Sequence, residues 1–234
     1  MSYKPDDFRP HDFWQEIRPA GGFSRQVRDG LSHLYPASLP DGREIALPIR
    51  VLPAGDRAVA SLIINQASFA VEDALAEAMA GEARAFAPEV VVGVPTLGLP
   101  LAANVARRLG HSRMVALGTS RKFWYDEGLS EPLRSITSPG EGKRIYLDPR
   151  MLPLLSGRPF VLVDDVVSTG TSILAVLRML EKAGLRPSAI IVAMRQGNAW
   201  HEALAASPFA EVPVRSAIAT PLLSPGSDGM WHPL

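Results

Sequence analysis

The stretch from Phe160 to Ile173, Phe-Val-Leu-Val-Asp-Asp-Val-Val-Ser-Thr-Gly-Thr-Ser-Ile, constrains this chain more than any other. Its four opening apolar residues, Phe160 to Val163, predict a buried strand. Asp164 and Asp165 stand at the C-terminal end of that strand, and Ser168-Thr169-Gly170-Thr171 leads straight into an apolar helix. A helix N-terminus offers unpaired N–H groups and the positive end of its dipole, so it suits a phosphate. Gly170 lets the backbone approach a ligand closely or take positive φ, and the hydroxyls supply further donors. The two carboxylates only accept hydrogen bonds, which fits a polyol such as ribose. Phosphate on one side and diol on the other describe a phosphorylated sugar. The competing account, a turn and cap with two surface acids, leaves the run of small hydroxyl residues unexplained.

The rest of the chain predicts α/β architecture. Asp41-Gly42 signals a turn, and Glu44 to Leu52 and Arg57 to Asn65 read as two strands of a hairpin. Helical periodicity begins after Ser68, an N-cap, with Val71, Ala74, Leu75, Ala78 and Met79 on one face and Glu72 and Asp73 in the first turn. Val90 to Val94 is a second buried strand, a helix follows from Pro100 to Leu109, and Met114 to Leu117 is the next strand. A strand–helix–strand unit of this kind implies a parallel sheet. After Phe160–Val163, a helix with Ile173, Val176, Leu177 and Leu180 on one face ends at Gly184, and Ala189 to Met194 forms another strand. Lys143 to Leu147 returns as a strand. A short helix near Trp200 to Ala206 and a strand at Val214 to Ile218 complete the pattern. The aromatics of residues 1–43 read as packing for an extended arm, with a helical turn or two at Asp12 to Ile17.

Composition narrows the function. Lysine plus arginine equals aspartate plus glutamate, 24 each, so no global field draws the chain to nucleic acid or a membrane surface. An anionic substrate must then be held by local cations and backbone dipoles. With no cysteine, disulfides, thiolate metal sites and cysteine nucleophiles are excluded. The first residues lack the apolar core of a signal peptide, and no apolar run approaches the ~20 residues of a membrane span. A soluble cytoplasmic protein is the expectation.

In open parallel sheets, ligands bind beyond the carboxyl ends of the strands. Three features fall there: Thr96-Leu97-Gly98, Arg121-Lys122, and Asp164 to Thr171. The segment Leu162-Val163-Asp164-Asp165-Val166-Val167-Ser168-Thr169-Gly170-Thr171 resembles the phosphoribosyl-diphosphate (PRPP) signature of type I phosphoribosyltransferases. That resemblance covers roughly residues 70–195 and implies a parallel sheet flanked by helices, with a small hood formed from N-terminal and C-terminal segments. It divides the chain into an arm and hairpin (1–66), a PRPP-binding core (67–200) and a C-terminal extension (201–234). The loop pattern is nearest to the adenine/xanthine branch, with Arg121-Lys122 as the basic pair before the mobile loop and Ser135-Ile136-Thr137 near its end. The glutamate that the adenine branch carries there is displaced to Glu141, so adenine specificity does not follow.

The roles implied by the resemblance are specific. Val167, Ser168, Thr169, Gly170 and Thr171 bind the 5-phosphate, and Thr96, Leu97, Gly98, Arg121 and Lys122 bind pyrophosphate. Asp164 and Asp165 hold the ribose hydroxyls, and with Lys122 they form the catalytic set. Magnesium enters bound through PRPP, with no protein metal cage. The reaction is transfer of the 5-phosphoribosyl group from PRPP to a nucleobase, a purine by preference, by a homodimer. The alternative is a PRPP-binding regulator of the same fold with little or no transferase activity. Neither Gly-x-x-x-x-Gly-Lys-[Ser/Thr] nor Gly-x-Gly-x-x-Gly occurs, which counts against the common nucleotide-binding types. His201 and His232 read as surface or capping residues, Arg195 as either substrate contact or solvated cation, and Trp231 as either stacking or packing.

Overall fold

An apolar strand needs cover on both faces, and the computed structural model, which describes residues 8–23, 30–133 and 143–234, supplies it through two separate packing layers. In chain order, strands β1 (Ile17–Arg18), β2 (Leu34–Ser38), β3 (Glu44–Val51) and β4 (Ala58–Ala60) precede helix α1 (Phe69–Arg84). Then come β5 (Val90–Gly93), α2 (Gly98–Arg108), β6 (Val115–Ala116), β7 (Ser130–Pro132), β8 (Arg144–Tyr146) and α3 (Leu152–Leu155). The chain continues through β9 (Phe160–Val167), α4 (Thr171–Lys182), β10 (Ala189–Gln196), α5 (Ala199–Ala205), β11 (Val214–Thr220), β12 (Leu222–Pro225) and β13 (Trp231–Pro233).

The central sheet runs β11-β10-β9-β5-β6, and every pair in it is parallel. Alternate residues of β9 face opposite layers, as strand geometry requires. Val161 and Val163 pack with Val71, Leu75 and Met79 of α1 and Leu101 and Val105 of α2. Phe160 and Leu162 pack with Val176, Leu177 and Leu180 of α4. Burial on both faces is what a parallel sheet demands, and it explains why β5 and β9 read as unbroken apolar runs.

The hood is a second sheet, ordered β1-β3-β4-β12-β13 with β2 on the outer side of β3. The hairpin pairs Ile49 with Ala60, and β12 joins it where Leu222 faces Val59. N-terminal and C-terminal segments therefore build one unit. Gln196, buried at the end of β10, donates its Nε2 to the Ala60 carbonyl at 2.6 Å and ties this sheet to the central one. The aromatic arm packs on the body: Phe13, Trp14 and Phe23 are buried, and Trp14 Nε1 donates to the Ser61 carbonyl.

Several boundaries differ from the sequence reading. Strand β9 extends past Val163 to Val167, because β10 continues to pair with it through Arg195 opposite Val167. The second hairpin strand stops at Ala60, and a 3-10 turn at Ile64–Gln66 sends Ile64 into the core before Ser68 caps α1 by accepting from the Val71 amide. Helix α2 begins at Gly98, not Pro100; proline is accepted in a first turn, where its missing N–H has no acceptor to lose. The strand after α2 is only Val115–Ala116, while β10 and β11 run on to Gln196 and Thr220. Arg144–Tyr146 pairs with Ser130–Pro132 in a ribbon apart from the central sheet. Asp12 to Ile17 forms a turn running into β1 and no helix. No helix among the described residues is long and apolar enough to cross a membrane.

Replacing Gln196 by alanine leaves the buried Ala60 carbonyl unpaired, at a cost of about 1–3 kcal/mol. The thermal midpoint should fall, and hydrogen exchange of the β3–β4 amides should accelerate more than that of β9. Exchange that accelerates equally in both sheets would contradict the tether.

Candidate active site

Pairing at the carboxyl end of β9 is one-sided. Strand β5 stops at Gly93, opposite Val163, whereas β10 continues to Val167. Asp164 and Asp165 thus lie within a hydrogen-bonded strand yet open toward the end of β5. Asp164 is buried, and its Oδ1 accepts the Asp165 amide at 2.9 Å. Burial raises the Asp164 carboxyl well above the usual carboxylate range, and the neighbouring Asp165 charge raises it further. Burial also raises Asp165, opposed by the hydrogen bond with Asp164. Two largely desolvated acids with free acceptor lone pairs form a site that gains by receiving hydroxyl donors.

The Ser168–Thr171 loop, the phosphate loop of the sequence expectation, follows. Gly170 adopts φ +79° at the N-terminal cap of α4, a conformation that disfavours a side chain. A Cβ there would also lie 3.3 Å from the Trp200 Cα. Thr169 Oγ1 lies 3.0 Å from Thr171 Oγ1 and accepts the Thr171 amide at 3.4 Å. Behind the loop, the Trp200 amide donates to the Ser168 carbonyl at 3.0 Å. The result is a pocket of about 140 Å³ lined by Asp164, Val167, Ser168, Thr169, Gly170 and Thr171. Backbone amides of the first turn of α4 and hydroxyls converge on it, a donor set for an oxyanion.

Thr96, Leu97 and Gly98 connect β5 to α2. The Pro95–Thr96 peptide is cis. A Cβ on Gly98 would approach both the Asp164 Cα and Oδ1 to 2.8 Å, so only glycine lets this loop lie against the acid pair. Thr96 is exposed.

Arg121 and Lys122 stand after β6, with β5 between them and the phosphate loop in the sheet order. Both are exposed, and Arg121 pairs with Glu127 at 2.7 Å. Their loop is anchored by its aromatic half. Trp124 Nε1 donates to Asp148, the Arg150 guanidinium lies 4.5 Å from the Trp124 ring centre, and Tyr125 packs on Tyr146. Hydrogen bonding from Arg150 holds Asp148 down at about 2. Ser135-Ile136-Thr137 and Glu141 lie outside the described residues.

The structure therefore brings together Asp164, Asp165, Val167 to Thr171 and Thr96 to Gly98, and places Arg121-Lys122 on a separate strand-end loop. It adds Trp200, which backs the phosphate loop, and Asp148, which holds the loop bearing the basic pair. The first had a legible signal, since Arg195-Gln196-Gly197-Asn198-Ala199-Trp200 follows a strand as the other site loops do. The second had none, because Asp148 meets Trp124 only through tertiary packing. Trp231 packs on Leu31 and Leu223, and His232 pairs with Asp228, so both serve the hood.

The raised Asp164 carboxyl has a pH consequence. Unfolded, it titrates at its ordinary value of 3.8, and folded it keeps its proton to higher pH. The stability of the protonated form is fully present below the ordinary value and is lost as pH rises through the folded-state value. Asp164→Asn removes the buried charge, so the ligand-free midpoint at neutral pH should rise by roughly 2–4 °C, with a shallower decline above about pH 4. Scanning calorimetry across pH tests this; a lowered midpoint with an unchanged pH slope would contradict it.

With this geometry in view, the family comparisons are specific. The phosphoribosyl transferase domain model matches residues 62–206. A protein of Methanosarcina barkeri called transcriptional regulator GfcR 1 is 32% identical over 130 residues, covering 56% of this chain and 53% of that one. A hypoxanthine/guanine phosphoribosyltransferase of Methanosalsum zhilinae is 29% identical over 108 residues, covering 46% and 52%. The chain spans about half the length of the curated relatives it matches. The adenine phosphoribosyltransferase of Giardia lamblia, solved with 9-deazaadenine, shares the fold at a TM-score of 0.55 and 22% identity, covering 80% of this chain and 93% of that one. A glycine-framed phosphate loop, an acid pair and a family match across more than half the chain converge: this protein belongs to the phosphoribosyltransferase domain family.

Proposed function

We propose that the protein transfers the 5-phosphoribosyl group of PRPP to a nucleobase, a purine by preference, and releases pyrophosphate. The observation that carries this reading is the acid pair, set between the Ser168–Thr171 pocket and the Thr96–Gly98 loop. Displacement at the anomeric carbon builds positive charge on the ribose and negative charge on the leaving group. Ser168 to Thr171 anchor the 5-phosphate, so binding remote from the reacting carbon is converted into orientation. Asp164 and Asp165 accept the ribose hydroxyls and fix the ring. Thr96 to Gly98 present backbone dipoles to the pyrophosphate, and Arg121 and Lys122 add positive charge. Among the described residues no group of three or more histidines, cysteines or acids is placed to hold a metal by itself. The oxygen-only acid pair fits magnesium held jointly with substrate oxygens. Carried in on PRPP beside Asp164 and Asp165, the ion would supply Lewis-acid neutralisation of the leaving group. A cytoplasmic homodimer is the form in which we expect the protein to act.

A second reading is favoured by the relatives called transcriptional regulators, whose matched portions are about half of each chain. In that reading PRPP binding is kept and turnover is subordinate.

Incubation with PRPP, magnesium and a panel of bases separates the two. Nucleotide formation that falls by roughly 10²-fold or more in Asp165→Asn is the result expected of the transferase. Saturable PRPP binding without product from any base supports the regulator, and absence of PRPP binding removes both readings. Lys122→Ala should lower turnover by roughly 10²-fold while leaving the thermal midpoint unchanged; an unchanged rate would make the pair an ordinary solvated surface.

A further inference from the structure

Among the described residues, the β7–β8 ribbon shares no strand pairing with the central sheet, so its placement against α4 is left to side chains. Leu129, Ile145 and Leu147 enter the apolar layer with Val176, Leu177 and Leu180 of α4. Beside them, Glu131 of β7 grips the same helix: its carboxylate accepts from Lys182 Nζ at 2.6 Å and from Arg178 Nε at 3.1 Å. Lys182 Nζ also donates to the Ser130 carbonyl at 3.1 Å. Arg178 and Lys182 stand four residues apart and share one face of α4. A fully exposed ion pair would fix little. Here the acid side chain is only 14% exposed, and each of its oxygens is held by a different cation.

The ribbon in turn carries the basic pair. Tyr146 of β8 and Gly118 exchange backbone hydrogen bonds of 2.8 and 2.9 Å, which fasten the chain leaving β6 to the ribbon just before Arg121 and Lys122. Just after the pair, Tyr125 packs on the Tyr146 ring at 5.8 Å and Trp124 donates to Asp148. The Tyr125 amide closes a turn on the Lys122 carbonyl. Glu127 engages Arg121, so Lys122 is the cation of the pair left to meet an anion. Both anchors of this loop rest on β8 and the residues that follow it, and the ribbon rests on α4. Thr171 opens that helix, and Arg178 lies roughly 10 Å along it. A chain of contacts therefore runs from the Ser168–Thr171 pocket through α4 and Glu131 to Lys122, and it bypasses the central sheet.

We infer that Glu131 is a positioning residue, which through Arg178 and Lys182 sets where Lys122 stands relative to the Ser168–Thr171 pocket. The inference rests on the reading of Lys122 as a pyrophosphate contact but not on turnover, so its test reads binding. Calorimetry on the full chain uses two probes, ribose 5-phosphate for the pocket and magnesium pyrophosphate for the basic pair. Glu131→Gln should weaken pyrophosphate binding by roughly tenfold, because a displacement of about 1 Å suffices for a loss of that size. Ribose 5-phosphate should stay within about twofold, as for an independent site. Lys182→Gln, at a half-exposed position, should give the same split and serves if loss of the carboxylate unfolds the ribbon. In the Lys122→Ala background, Glu131→Gln should change pyrophosphate affinity by less than about twofold, since the side chain it positions is gone. A purely structural clamp would instead weaken both probes together and add in full to Lys122→Ala. Either of those results, an unchanged pyrophosphate affinity in both variants, or a wild type that binds no pyrophosphate would overturn the assignment. Split binding in the variants, with no nucleotide formed by the wild type from PRPP and any base, would overturn the transferase reading and leave Glu131 its positioning role.

Discussion

Strand β9 is paired on two sides as far as Val163 and on one side as far as Val167, and the rest of the molecule depends on that asymmetry. Were β5 to continue beside it, the backbone of Asp164 and Asp165 would be locked in the sheet with no opening for a ligand. Were β10 to stop as well, the acids would hang on a loose loop. One-sided pairing holds the carboxylates on a rigid element and leaves their acceptor edges open. The phosphate loop inherits its position from the same strand, because Val167 is the last paired residue before Ser168.

The arrangement is bought with local instability. Two adjacent carboxyls in a largely dry setting are each pushed toward their neutral form. Gly98 and Gly170 occupy positions where a side chain would collide with the acid or with Trp200, so chain entropy is spent to bring backbone close to the site. The layers beneath offset this. Phe160, Leu162 and Val163 are fully enclosed, and α1, α2 and α4 lean on them. A site of this kind gains its favourable partners from the ligand: hydroxyl donors for the acids and an anion for the helix N-terminus.

Family membership and the acceptor question are different matters. The family model spans residues 62–206, which include the acid pair and the loops after β5 and β9. The hood and the cleft at β10 and β11 are built from segments remote in sequence, and Arg57, Arg195 and Trp200 line that cleft.

Much of the candidate site's local structure was legible because it is local in sequence. The order strand, acids, small hydroxyl residues and helix lies within fourteen consecutive positions, Phe160 to Ile173. Gly170 at positive φ, the Ser68 cap and the parallel β5–α2–β6 unit follow from short-range rules of backbone sterics and capping. The end of β9 was not legible at Val163, because strand length is decided by whether a neighbour continues, and that neighbour lies about thirty residues on. Trp14 against Ser61, Gln196 against Ala60, and β12 alongside β4 are contacts across long separations that no local pattern encodes. The sequence by itself determined the order of strand, acid pair, hydroxyl-rich loop and helix, since sterics and hydrogen-bonding capacity are properties of adjacent residues. Only the tertiary structure decided what surrounds that loop, since the cleft at β10 and β11 exists only once distant segments have packed together.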